Sequence, residues 1–420
     1  MALDPVHFDG IKHLSTRINS DYDTSEQNDY AERLWKLLDP LLIEGEKVFE
    51  PVEDLKRLRA DPEDSALSSD QYPTQHGIDS GTLNPRVMDN GLIIDVAHAA
   101  AGSVPGDLDL HRQRTVIASV YSGDSTAIFD EDWISFDMNS SRGRVVQVPG
   151  DLKRRIRDAV HSYALYLAES IHALRTFDKA EDLVILDGPL YPKNLLNHLE
   201  TKNSRLERSN LTEKVLDNYL ELTRRSVESD IPLLGFVKNV GSRTLVKGIN
   251  ESDGMAPCPW SNDDALLRRV LDGEGHGDND DLFFTNWFRD GLPPVNGDPS
   301  VLDTGTEAPE SGGKLLEGDD FEPMDLSPCC FFIRDPRRDR LFKVEALRYF
   351  VEDATVREKI TKQVLKEVAN DGVPRCVAKA DELARIPVDQ KKGLIDELET
   401  TMGTRENKGY DRERWGLGTE

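Results

Sequence analysis

The chain has 420 residues, 38% of them hydrophobic, enough to bury a sizeable core, in two or three domains by length or in one large domain with insertions. Asp and Glu number 78 against 52 Lys and Arg, a formal net charge of −26. Such a balance excludes a broadly basic nucleic-acid surface, though not a local basic groove, and fits a folded protein whose acidic surface is screened by salt.

In chain order, residues 1–80 read as mostly helical and polar, with NDYAERLWKLLDPLLIEG at helical spacing and Gly45 as its stop. Residues 60–84 read as loop. NGLIIDVAHAAAG (90–102) is the first strand signal, and TVIASVYSG (115–123) and TAIFDEDWISFD (126–137) continue it as a meander. Residues 151–178 form the clearest helix, with Ile156, Val160, Tyr163, Leu167 and Ile171 along one side. LVILDGPLYP (183–192) and IPLLGFVKNV (231–240) read as strands buried on both faces, and residues 194–230 between them as polar helix. Two acidic, Gly- and Pro-rich insertions lie near 270–282 and 290–327. CCFFIRDPRRDRLFKVEAL (329–347) reads as a hairpin about Pro336, followed by helices over 353–370 and 373–399. The fold class is therefore α/β with a mixed sheet. The expected organisation is a helical N-terminal extension (1–84), a main domain (85–400) and a charged tail (401–420).

LVILD ends a buried run on Asp187 and turns at once on Gly188-Pro189, which leaves a carboxylate at the sheet rim. LIID places Asp95 similarly, and Glu169 lies on the helix that feeds the Asp187 strand. Carboxylates so gathered repel unless a divalent cation lies among them, and hard oxygen donors select Mg²⁺ or Mn²⁺. Lys238 stands near the end of the next buried strand. Basic runs occur at KRRIR (153–157) and RDPRRDR (334–340). Four cysteines include no C-x-x-C pair, which argues against a zinc ribbon and fits a reducing cytoplasm. MALDPVHFDG lacks the basic and apolar regions of a secretory leader, no apolar run is long enough to span a membrane, and no P-loop occurs.

LIIDVAH (92–98), LAES (167–170), LVILDGPLYP (183–192), GFVKNVGSRTL (235–245), CFFIRDPRRDRLFKVE (330–345) and VPRCVAKADELARI (373–386), in this order, resemble the NurA nucleases, particularly the acidic members of halophilic archaea. The resemblance implies an RNase H-like core with helical elaborations at both ends. It implies a Mn²⁺- or Mg²⁺-dependent deoxyribonuclease, a 5′–3′ exonuclease and single-strand endonuclease, acting on DNA ends in double-strand-break repair. Its partners would be a HerA-type hexameric translocase and a second copy of the chain. Asp95, Glu169 and Asp187 would be the catalytic metal ligands, with Lys238 in support. Asp381 would stand where the family carries a histidine in an Ala-His pair, with His98 able to compensate. Arg334, Arg337, Arg338 and Arg340 would contact DNA. Asp95-Val96-Ala97 departs from the family's Asp-Gly-Ser, and with the missing histidine it leaves a second reading: a weakened site kept as a DNA-docking adaptor.

Overall fold

Apolar runs broken by turns condense into one large mixed sheet, and the computed structural model describes it over residues 4–18, 24–124, 126–137, 140–149, 156–192, 210–252, 257–272, 280–291 and 323–407. In chain order the strands are β1 (Leu41–Ile43), β2 (Glu46–Pro51), β3 (Arg57–Ala60), β4 (Gln75–Thr82), β5 (Arg86–Val87), β6 (Ile93–Val104), β7 (Arg114–Tyr121) and β8 (Ile134–Ser135). They continue with β9 (Ser141–Gln147), β10 (Leu183–Asp187), β11 (Leu233–Val237), β12 (Leu282–Thr285), β13 (Phe288–Asp290), β14 (Pro328–Asp335) and β15 (Arg340–Leu347). The spatial order is β1-β2-β13-β14-β15-β11-β10-β4-β6-β7-β9-β8, with β12, β3 and β5 attached at the side.

Five neighbours form the heart of the sheet, in the order β7-β6-β4-β10-β11. The pairs β4–β6 and β6–β7 are antiparallel, as tight connections allow. The pairs β4–β10 and β10–β11 are parallel and need crossovers, supplied by helices Ile156–Phe177 and Asn210–Glu228. This order and these directions are those of an RNase H-like core. The Ile156–Phe177 helix buries Val160, Tyr163, Leu167 and Phe177 against that sheet, and the strands β10 and β11 bury nearly every residue. A second apolar cluster holds the Thr24–Leu37 helix, the Asp263–Asp272 helix and the β14–β15 hairpin together.

The N-terminal segment departs from the sequence reading. Helices Pro5–Ile18 and Thr24–Leu37 are present, but Leu41–Ile43 is strand β1, and β2 and β3 follow it into the sheet. Residues 60–84, read as loop, contain the Pro62–Leu67 helix and central strand β4. The boundary at residue 84 therefore cuts through the core. The strand was hidden because QHGIDSGT carries glycine and polar side chains where alternation would show apolar ones. Of TAIFDEDWISFD only Ile134–Ser135 is strand. The tail begins later than 401, since Arg86 holds the buried Glu406 carboxylate at 3.1 Å. Residues 273–279 and 292–322 of the expected insertions, 194–209 of the expected polar helix, and 408–420 lie outside the described residues.

The glycines of β4 and β6 are a packing device. The Arg375–Ala384 helix lies directly on the backbone of these strands. A Cβ on Gly77 would stand 2.3 Å from the Cys376 carbonyl oxygen, one on Gly102 2.5 Å from the Ala380 nitrogen, and one on Gly81 1.9 Å from the Ala384 carbonyl oxygen. Side-chain-free strands thus let this helix approach closely and carry its polar edge to the sheet rim. Gly81→Ala should push the helix off and destabilise the fold by roughly 1–3 kcal/mol, the usual range for overpacking, read by chemical denaturation. An unchanged midpoint would contradict this packing.

Candidate metal centre

Asp187 ends β10, where the chain leaves the sheet on Gly188 at φ +141°. β10 runs parallel to β4 with Leu186 beside Ile78, so one step further Asp187 stands beside Asp79. Side chains alternate along a strand, so Asp79 shares its face with Gly77 and Gly81, the face covered by the Arg375–Ala384 helix. That helix brings Asp381 to the same rim. One carboxylate oxygen from each of Asp79, Asp187 and Asp381 lies within 4.8 Å of the other two. Asp79 and Asp187 are half-buried, and Asp381 is exposed, so the group opens to solvent on the helix side.

A fourth carboxylate approaches from the opposite face. Ser80, one residue on from Asp79, points to the Ile156–Phe177 helix and donates to Glu169 Oε2 at 3.3 Å. Glu169 is also hydrogen-bonded to Tyr219 and is almost fully buried. Lys238, just past the end of β11, donates from Nζ to Asp187 Oδ2 at 2.6 Å.

The electrostatics are those of crowded acids. Burial, then the neighbouring Asp187, pushes Asp79 up to about 7. Burial, with Asp79 and Asp187 adding to it, pushes Glu169 up to about 8. Burial also raises Asp187, but Lys238 offsets part of that. Burial works against the Lys238 ammonium, yet Asp187, Asp381 and Asp79 outweigh it and its pKa is raised. Burial and mutual repulsion thus disfavour the anions of Asp79 and Asp187, and a hard divalent cation among the three carboxylates would relieve that cost. The donor set, all oxygen, fits Mg²⁺ or Mn²⁺.

The structure thus gathers Asp187, Asp381, Glu169 and Lys238, but Asp95 stands elsewhere. Ala100 of β6 is opposite Asp79, and Asp95 lies five positions further along (100 − 95), about 17 Å at ~3.3 Å per residue. It pairs instead with His161, whose Nδ1 is 2.7 Å from Asp95 Oδ2. Asp79 takes the place expected of Asp95. The missed signal was Ile78-Asp79-Ser80-Gly81, an apolar residue, an aspartate and two small residues, closer to Asp-Gly-Ser than Asp95-Val96-Ala97 is. His98 is half-buried beside the Ala384 carbonyl, and desolvation, with Arg114, lowers its pKa to about 4, which holds it neutral.

The hairpin arginines are engaged within the fold. Arg334 binds Asp272 at 3.3 Å and Asp339 at 2.7 Å. Arg337 and Arg338 both bind the buried Asp335 at 2.9 Å, and both also donate to carbonyls of the Ala354–Asp371 helix. Arg340 is exposed. Of KRRIR, residues 153–155 lie outside the described residues, and Arg157 donates to the Pro85 carbonyl at 3.2 Å. Among the described residues no helix is long and apolar enough to cross a membrane.

The sheet is RNase H-like, and three carboxylates that could hold a metal ion converge at its rim. Residues 73–386 match the NurA domain, so the chain belongs to the NurA family. Among solved structures it is similar to the NurA nuclease from Sulfolobus solfataricus, at 13% identity and a TM-score of 0.47 over 96% of this chain and 98% of that one. It is similar to NurA with manganese at 12% identity and a TM-score of 0.45, over 80% of this chain and 91% of that one. It is also similar to NurA bound to dAMP and manganese, at 10% identity and a TM-score of 0.47 over 93% and 96%. No curated protein matches the chain.

Asp79 and Glu169 hold protons more tightly folded than unfolded, so their contribution to stability is present near pH 4 and is lost as pH rises through about 7 and 8. Without divalent metal the chain should be less stable at about pH 8.5 than at about pH 6, and Asp79→Asn should flatten that slope in denaturant titrations. Mn²⁺ should stabilise more at the higher pH, because it binds the deprotonated form. Arg337→Ala should cost about 1–3 kcal/mol by weakening the pairing of buried Asp335, again read by denaturation. DNA affinity lost without any loss of stability would return that arginine to a binding role.

Proposed function

We propose that this chain is a metal-dependent deoxyribonuclease that hydrolyses phosphodiester bonds at DNA ends and in single strands. The observation that carries the reading is the meeting of Asp79, Asp187 and Asp381 at one rim of an RNase H-like sheet, in a member of the NurA family. Asp79, Asp187 and Asp381 would hold Mn²⁺ or Mg²⁺, with Glu169 beneath them. The metal, when bound, supplies Lewis acidity that activates water and stabilises charge on the phosphate.

The chain's own groups prepare that site. Lys238 fixes the Asp187 carboxylate and offsets part of its charge. Ser80 and Tyr219 hold Glu169, which retains its proton near neutral pH when no metal is present. Exposed Asp381 leaves one side open for the scissile phosphate to approach. An aspartate there is a good hard ligand but a poor proton donor near neutral pH, unlike an imidazole. Family membership extends the proposal to double-strand-break repair with a HerA-type translocase, to a homodimer, to 5′–3′ polarity, and to a cytoplasmic setting.

The test is labelled single-stranded DNA with Mn²⁺ in concentrated KCl, with and without EDTA. Asp79→Asn and Asp187→Asn should each lower metal-dependent cleavage by roughly 100-fold or more, beyond what loss of an outer-shell partner costs, with the fold intact. Asp95→Asn should retain cleavage within a few-fold. DNA retained uncut by the wild-type chain would favour the adaptor, and preference for RNA would move the substrate class. Full activity in Asp187→Asn would overturn the site.

A further inference from the structure

A second cavity, of about 390 Å³, lies away from the carboxylates on the other side of the Ile156–Phe177 helix. Its walls come from three elements. Arg142 and Arg144 alternate on β9, so both face this helix. Leu167, Ile171 and Arg175 line the helix side at spacings of four. Lys214, Asn218 and Arg225 come from the Asn210–Glu228 helix, the first two four apart.

In a chain of net charge −26 this wall is positive. Its one carboxylate, Asp178, is taken by Arg225 at 2.6 Å. Arg142 and Arg144 stand together over the Trp133 ring, at 4.3 Å and 5.3 Å, which fixes their planes. Among the described residues neither has a carboxylate partner, and the buried Nε of each has no acceptor. Arg175 donates to the carbonyls of Arg114 and Ser140 and to the Thr115 hydroxyl, and Asp137 is the acid whose charge favours it. Lys214 adds an ammonium opposite. Guanidiniums crowded on one cavity wall beside aliphatic Leu167 and Ile171 match a dianion joined to an apolar body. The volume falls within the range of small-ligand sites, roughly 300–1,000 Å³.

We propose that this cavity binds a phosphorylated organic ligand, its phosphate on Arg142, Arg144 and Lys214 and its remaining body on Leu167 and Ile171. A free mononucleotide and the 5′-phosphate end of a strand present this same chemistry. Asn218 donates to the Ser170 hydroxyl at 3.1 Å, and each of these residues adjoins a member of the Tyr219–Glu169 pair, so the cavity and the carboxylate site share two helices.

The probe is dTMP, titrated calorimetrically into the full chain in EDTA so that no metal recruits it to the carboxylates. Arg142→Ser with Arg144→Ser, and separately Lys214→Ala on the helix surface, should weaken binding roughly tenfold or more, the scale of lost hydrogen bonds to charge. Asp187→Asn should leave it unchanged. Inorganic phosphate should bind more weakly than dTMP, and a 5′-phosphorylated oligonucleotide binding more tightly would assign the phosphate to a strand end. Binding at wild-type strength by both Lys214→Ala and the folded double variant, or loss in Asp187→Asn alone, would overturn the site. Inorganic phosphate binding as tightly as dTMP would remove the organic part of the ligand.

Discussion

The repulsion among Asp79, Asp187 and Asp381 is the constraint around which the rim of this sheet is organised. Parallel pairing of β4 and β10 puts two of these carboxylates side by side. Glycine-lined strands let the Arg375–Ala384 helix bring the third. None of these devices is a stable arrangement of anions by itself, as the upward shifts of Asp79 and Asp187 register. Lys238 offsets part of the charge, and the rest is a standing demand for a cation. Fold and chemistry are joined at that point: the packing that completes the core also assembles the acids.

Much of this was legible in the residues. Asp187's place at the sheet rim is legible because a buried apolar run ends on a charge and turns at once on Gly188-Pro189. Glu169 followed from lying on the helix that enters that strand, and Asp381 and Lys238 from the family pattern. Asp79 was not found, and the cause is physical. β4 is covered by a helix that touches its backbone, so it needs glycine and tolerates polar side chains where a strand ordinarily shows alternating apolar residues. The same close packing that builds the site erased the periodicity by which the strand would have been recognised. Asp95 sits in a stronger apolar run and attracted the assignment, but antiparallel register carries it far down β6.

Charge signals in the sequence were less reliable guides than apolar ones. RDPRRDR looks like a phosphate-binding turn, yet its own aspartates, Asp335 and Asp339, occupy Arg334, Arg337 and Arg338. The opposite holds at β9, where Arg142 and Arg144 are separated by one residue and form no basic run in the sequence. Only the strand's alternation, with Trp133 beneath and two helices opposite, turns them into a concentrated positive wall. A net charge of −26 therefore says little about where either sign is gathered.

The central claim, that Asp79, Asp187 and Asp381 share a divalent cation, is tested most directly by anomalous diffraction from crystals soaked in Mn²⁺. The account predicts a peak bounded by oxygens of these three residues, at ordinary oxygen–metal distances, and none beside Asp95. A peak bridging other carboxylates, or none at this rim under saturating metal, would contradict it.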